Sequence, residues 1–374
     1  MKVHKHGNWL KLRSMPRNVL AVSLTSFFMD ISSEMVINIL PLFLSNVLGV
    51  KTNIIGLIEG VAETTSSLLK MFSGWFSDKI GGRKWLAVAG YGISALSKPF
   101  FYFANTWGLV AGARWADRVG KGIRTAPRDA LVADSIQEEQ RGLAFGFHRA
   151  ADTAGAMLGL MIALLVTWLA QRDSAMLSAS TFRTIVIISI FPAALAVLTL
   201  AIGVKETIKK KQYELPKFAF KSLGKPFMTF MVIVAIFDLG NSSDAFLVLR
   251  AQERGLNILG ILGMLITFNL IYFFGISLNM LTLGALALGF GMFVDNAIVV
   301  FENTLRLRES GVEPREAAIR SPKEVFTAVL ASTLTTIAVF FSFPFFQGRL
   351  KMFYLPLAIV IGSALAASLL ISFT

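Results

Sequence analysis

The feature that most constrains this chain is a set of apolar runs, eighteen residues or longer, recurring from end to end. At 1.5 Å per residue such a run crosses a hydrocarbon layer of about 30 Å. No water reaches backbone amides in that layer, so each run must satisfy its hydrogen bonds internally, as a helix. The composition agrees, with 55% hydrophobic and 16% charged residues and 32 Phe, where a soluble domain carries about 25% charged residues. The chain therefore reads as an all-α polytopic membrane protein. Eleven transmembrane helices are expected, near 19–48, 54–76, 85–104, 107–133, 143–170, 183–204, 226–249, 258–275, 279–303, 325–346 and 352–373. The basic N-terminal segment precedes an apolar run of about thirty residues with no small-residue cleavage site, which predicts a retained first span rather than a signal peptide. There is no Cys, so no disulfide holds the chain.

Charge sets the orientation. The loop 205–225 carries Lys205, Lys209, Lys210, Lys211, Lys217, Lys221 and Lys225 against Glu206 and Glu214, and the N-terminus is also basic. Connections near 49–53 and 104–107 are almost uncharged. Basic loops stay on the cytoplasmic side, so the N-terminus is expected inside, in a bacterial cytoplasmic membrane. The net charge of +13 needs no nucleic-acid partner. The expected division is a six-helix N-terminal bundle over 1–204, a cytoplasmic linker over 205–225, a seventh span and junction over 226–257, and a four-helix segment over 258–374. Glycines four apart, Gly56/Gly60, Gly108/Gly112 and Gly155/Gly159, predict close helix contacts.

Ionisable groups recur where lipid would be. Asp30 and Glu34 lie one turn apart in the first span, and Glu59, Glu63, Ser66 and Lys70 share a face of the second. In RWADRVGKGIRTAPRDA, residues Asp117, Lys121, Arg124 and Arg128 form one stripe at helical spacing, with Arg114 and Arg118 beside it. A charge at mid-bilayer costs about 2.5–3.5 kcal/mol on insertion scales, so such groups face a cavity or one another. Two readings stay open for them, a solute or proton path and a purely structural ion network. Arg149 and Asp152 of the fifth span extend the set, as do Asp238, Asn241 and Asp244 of FDLGNSSDAF. The run GKGIRT is no phosphate loop, since Trp115 stands at the first glycine position and Gly122 follows Lys121. GFGMFV has neither a third glycine nor a preceding strand, which argues against a dinucleotide site. No metal-spaced cluster and no nucleophile–base set is present, so neither a cofactor nor an enzymatic activity is expected.

GWFSDKIGGRK, Gly74 to Lys84, resembles the loop between spans two and three of the major facilitator superfamily. Gly74, Asp78, Lys79, Gly81 and Arg83 fit that pattern, with Lys84 beside them and Gly82 where a basic residue is usual. The resemblance continues through RWADRVGKGIRTAPRDALVADS and RGLAFGFHRAADTAGAMLG, where Leu160 replaces the proline of the antiporter motif. It covers about 15–255. It implies a cytoplasmic latch at residues 74–84, and a cavity lined by spans one, four and seven, reached alternately from each side.

From Ile258 the sequence is similar to spans three to six of the resistance-nodulation-division efflux pumps, most specifically in GMFVDNAIVVFEN. That resemblance makes Asp295 a proton-relay candidate, while a buried Asp bonded to Ser or Thr stays the alternative. Together the two imply a proton-coupled transporter of a small solute or drug. Alternatives are a non-transporting chimera joined near 255–260 and an accessory fragment of a proton-driven pump. Partners would be the lipid bilayer, a small solute and protons, with assembly into a homo-oligomer or with a partner transporter subunit left open. One conflict is built in: strict alternation puts the loop 304–324 outside, yet it carries Arg306, Arg308, Arg315, Arg320 and Lys323, and positive residues resist translocation. The region 226–257 is therefore expected to be the least well packed.

Overall fold

The computed structural model describes residues 15–171, 176–206, 224–239, 243–273, 275–276, 279–341, 345 and 349–372. The described residues are helical with no strand. Helices α1 (Arg17–Ile37), α2 (Thr52–Ile80), α3 (Lys84–Phe103), α4 (Trp107–Asp134), α5 (Arg141–Ala170) and α6 (Ala179–Gly203) match the first six expected spans. After them come α7 (Lys225–Leu239), α8 (Asp244–Glu253), α9 (Ile258–Phe273), α10 (Met280–Glu309), α11 (Pro314–Phe341) and α12 (Arg349–Ser372). The seventh expected span is thus two helices, with Asn241 between them outside the described residues. Arg17–Val47, Glu138–Ala170, Ala179–Gly203 and Pro314–Phe341 are long and apolar enough to cross a membrane by length and composition alone. The chain is a polytopic membrane protein.

Helix ends follow local chemistry. The hydroxyls of Thr106 and Ser178 accept from the amides of Leu109 and Thr181 at the starts of α4 and α6. These groups satisfy donors that a helix start leaves unpaired. Helix α2 ends on Gly81 at φ +71°, a left-handed conformation that costs glycine nothing. Past α1 the chain continues through a turn at Leu40–Leu42 and a π-helical turn at Phe43–Val47.

The chain separates into two compact units, one of residues 1–159 and 176–255, the other of 160–175 and 256–374. In the first, α4 packs against both α2 and α3, and α1 and α3 both pack on α6. Its apolar core joins Val22, Met29, Tyr91, Leu131, Ala196 and Leu200. In the second, α10 and α12 pack together with α9 and α11 beside them, around Ile271, Ala285, Val360, Ile361 and Leu365. Leu57, Leu68, Phe72, Trp75 and Phe76 lie exposed along α2, the outward apolar face expected where the surroundings are lipid.

The helix contacts differ from the glycine-pair expectation. Gly155 and Gly159 do meet backbone, lying against Phe27 and Ile31 of α1. Gly60, Gly108 and Gly112 face open space, and Gly56 meets only the ring of Phe246. The tightest contacts of α4 are instead at Gly120, where an added Cβ would stand 2.5 Å from the Gly90 carbonyl oxygen, and at Gly122, 2.6 Å from the Cβ of Leu69. Spacing alone could not tell which glycines face a neighbour.

Candidate functional site

The close approach at Gly120 and Gly122 draws α2 and α3 onto the charged face of α4. Arg114, 1% exposed, reaches across to α2, where its Nε and Nη2 donate to the two oxygens of Glu59 at 3.0 and 2.6 Å. Paired donors on one carboxylate are the strongest geometry an ion pair adopts. Arg118 meets Glu63 at 2.8 Å, and Arg114 stands 3.7 Å from both Glu63 and Asp117. Asp117 is also 3.5 Å from the ammonium of Lys98, a wholly buried side chain on α3 whose Nζ donates to Ser33 of α1 at 3.4 Å. Three cations and three carboxylates thus form one lattice over α2, α3 and α4.

Asp117 and Arg118 are buried and paired, with Lys98 and with the second-span carboxylate Glu63 rather than with Asp30 and Glu34. The reason is register: Glu59 and Glu63 sit one turn apart opposite Arg114 and Arg118, whereas Glu34 is occupied by its own helix, accepting from the Asn38 amide at 2.7 Å. Asp30 is half-buried and makes no ion pair within 4.0 Å among the described residues. It lies within electrostatic reach of Asp152, Glu34, Arg124 and Arg128.

Further along α4, Arg124 donates from Nη1 to the Ser94 hydroxyl at 2.5 Å, and its guanidinium lies 4.6 Å from the ring centre of Tyr91. The Tyr91 hydroxyl shares a 2.9 Å hydrogen bond with Ser26 of α1. Arg128 donates to Ser26 at 3.3 Å and pairs with the adjacent Asp129. Lys121 is half-buried and unpaired within 4.0 Å among the described residues, Arg149 is exposed, and Asp152 lies 3.7 Å from His148. Asp244 is exposed on the first turn of α8. The side chains of Asp238 and Asp295 lie outside the described residues, although their backbones belong to α7 and α10.

The segment 74–84 is assembled at the helix ends. Arg83 pairs with Asp78 at 3.1 Å and also with Asp134 at the end of α4. Glu206, just beyond α6, accepts from the amides of Arg83 and Lys84 at 2.9 and 3.0 Å. A carboxylate there opposes the positive end of the helix dipole of α3. Asn18 of α1 donates to the Lys205 carbonyl and accepts from its amide, both at 2.9 Å. Lys79 is exposed and leans 5.0 Å over Trp75. Gly74 has the Ala126 methyl 3.3 Å from where a Cβ would be.

Sequence reading missed Lys98, Ser94, Tyr91, Asp134 and the role of Glu206. Lys98 could have been found by the rule that selected Asp117, since it is an isolated cation within GYGISALSKPFF. Tyr91, Ser94 and Glu206 carry no such signal, because only the helix packing brings them to charged partners.

Comparisons with known proteins find relatives of two kinds. It is 36% identical over 242 residues to an uncharacterized MFS-type transporter of Methanocaldococcus jannaschii, an alignment covering 64% of this chain and 58% of that one. Residues 259–374 match the AcrB/AcrD/AcrF family. The multidrug resistance protein MdtC of Photorhabdus laumondii is 38% identical over 108 residues, 29% of this chain and 10% of that one. A solved structure of the peptide transporter POT with alafosfalin aligns over 94% of this chain and 80% of that one, at 15% identity and a TM-score of 0.45. The chain thus spans 58% of the length of its MFS-type relative and a tenth of its pump relative. Both resemblances read from the residues hold: this membrane protein is similar to an MFS-type transporter in one part and to the AcrB/AcrD/AcrF family in the other.

Proposed function

We propose that the chain is a secondary transporter of the facilitator type, coupling movement of a small solute to protons in a bacterial cytoplasmic membrane with its N-terminus inside. The observation that carries this reading is the lattice of Glu59, Glu63, Lys98, Arg114, Asp117 and Arg118 within the helices, continued by Asp30, Lys121 and Arg124, which have no direct ion pair among the described residues. Inert packing does not call for so many buried charges, each of which is expensive in a membrane. The Arg83 junction supports it too, since it ties the ends of α2 and α4 where alternating access needs a breakable closure.

In this reading 1–204 is the facilitator-type bundle, 205–225 a cytoplasmic linker, 226–257 the seventh span and junction, and 258–374 the pump-like segment. Asp295 is kept as a relay candidate of that segment. The test is uptake by inside-out vesicles bearing the full chain, screened with radiolabelled solutes under an imposed pH gradient. Accumulation that a protonophore abolishes supports the proposal, and vesicles indistinguishable from empty ones under every gradient refute it.

A second reading has its own support. Two likenesses to different families meet in one chain, each over only part of the relative, which is what a non-transporting chimera or an accessory fragment of a pump would give. A single long DNA read across the codons for 250–265 separates a continuous gene from a join, and co-purification with an intact pump would favour the accessory reading.

A further inference from the structure

The direct ion pairs of α4 leave two cations over. Arg114 is matched by Glu59, Arg118 by Glu63, Lys98 by Asp117 and Arg128 by Asp129. Lys121 and Arg124 have no carboxylate within 4.0 Å among the described residues, and they stand three residues apart on one helix face. At longer range Lys121 is influenced by Asp30 and Glu63, and Arg124 by Asp30 and Asp117. Glu63 and Asp117 are already engaged by other cations. That leaves Asp30, itself flanked by Glu34 and Asp152, as the carboxylate within reach of both cations, and it pairs directly with neither.

Arg124 is also held in a fixed pose. It is 5% exposed, its Nη1 is bound by Ser94, and the face of its guanidinium lies over Tyr91. Both residues come from α3, which reaches this depth because Gly90 and Gly120 bring the two backbones together. The Nε and Nη2 edge makes no hydrogen bond to any described residue, and that is the edge with which arginine grips a carboxylate or phosphate through two parallel bonds. Neither atom of that edge is among the enclosed polar atoms that lack a partner, so the edge stays open to a ligand.

Building on the transporter reading, we infer that the transported solute bears an anionic group, held between the Nε/Nη2 edge of Arg124 and the ammonium of Lys121. Ser94 and Tyr91 are positioning residues that set the guanidinium. Neither Glu59 nor Arg114 touches the solute.

The test is thermal melting of the purified full chain in nanodiscs, titrated with lactate, succinate and inorganic phosphate. Lactamide, 1-amino-2-propanol and potassium chloride at matched ionic strength serve as controls. At least one of the three anions should raise the melting temperature saturably, with phosphate against the carboxylates telling which anionic group is preferred, while the neutral and cationic analogues leave it unchanged. Arg124→Gln should raise the apparent Kd tenfold or more, and Arg124→Lys should restore part of the affinity. Lys121→Gln should weaken binding several-fold, and Lys51→Gln, an exposed position, should not change it. Should Arg124→Gln not fold, Lys121→Gln carries the test, since Lys121 is half-buried and has no ion pair to lose. Binding of the cationic or neutral analogue, or anion binding indifferent to both substitutions, overturns this inference and leaves the transporter reading intact. No saturable shift with any of the three anions likewise overturns this inference, while the transporter reading is decided separately by the vesicle uptake.

Discussion

The Glu59–Arg114 pair permits a quantitative test of the lattice. At an effective dielectric near 20, two unit charges about 4 Å apart attract by about 4 kcal/mol. Desolvating them offsets part of that, and removing one partner of a buried pair costs about 3–5 kcal/mol. The structure ranks the two halves. In Glu59→Gln, Arg114 keeps Glu63 and Asp117, each at 3.7 Å, so the loss should be near about 2 kcal/mol. Arg114→Leu strands Glu59 without a cation and takes one of two from Asp117, so about 4 kcal/mol should be lost. The double variant Glu59→Gln with Arg114→Leu removes both charges and should recover most of that loss, giving a coupling energy of about 2 kcal/mol or more. Reversible unfolding in mixed micelles, followed by tryptophan fluorescence, measures all four corners of the cycle. Strictly additive losses, or Glu59→Gln costing more than Arg114→Leu, would refute the assigned partners.

Other expectations follow from single contacts. Gly120→Ala places a methyl 2.5 Å from the Gly90 oxygen and should cost about 1–3 kcal/mol; Gly112→Ala, with nothing within 4 Å, should stay within about 0.5 kcal/mol of the parent, both read by the same unfolding assay. Glu206→Ala withdraws the acceptor from the amides of Arg83 and Lys84 and should lower stability by about 1 kcal/mol, checked by melting and by faster hydrogen exchange at residues 83–86. Asp78→Asn should loosen Arg83 and raise the labelling rate of a cysteine placed at Ser77; an unchanged rate would count against a working latch. A cysteine at the exposed Ser310 reports the topology: protection from a membrane-impermeant reagent outside is expected, because the arginine-rich loop resists translocation, and labelling from outside would show that plain alternation of the spans prevails.

How much was legible in the residues depended on range. The first six helices follow from apolar length, and their ends from groups such as Thr106, Ser178 and Gly81, because both signals are local. The Asp117 stripe was legible for the same reason: helical spacing fixes which residues share a face. Which acid meets which base was not, because Glu63 rather than Glu34 reaches Arg118 only through the register of α2 against α4, where Gly122 lies close against Ser66 and Leu69. The seventh span failed differently. FDLGNSSDAF interrupts an apolar run with polar side chains, and the structure has α7 and α8 on either side of the interruption, with Phe227, Phe230, Ile233 and Ile236 of α7 exposed. Glu206 lay within a lysine-rich segment that sequence reading treated as linker, yet it caps α3.

The proposed movement of protons with a solute can be measured in sealed proteoliposomes carrying the purified full chain and a trapped pH-sensitive dye. With an anionic solute on one side, a solute-dependent change of internal pH is expected, lost in Asp30→Asn and in Arg124→Gln while both variants stay folded. A pH trace identical to that of protein-free liposomes, for every solute and either direction of the gradient, would contradict it.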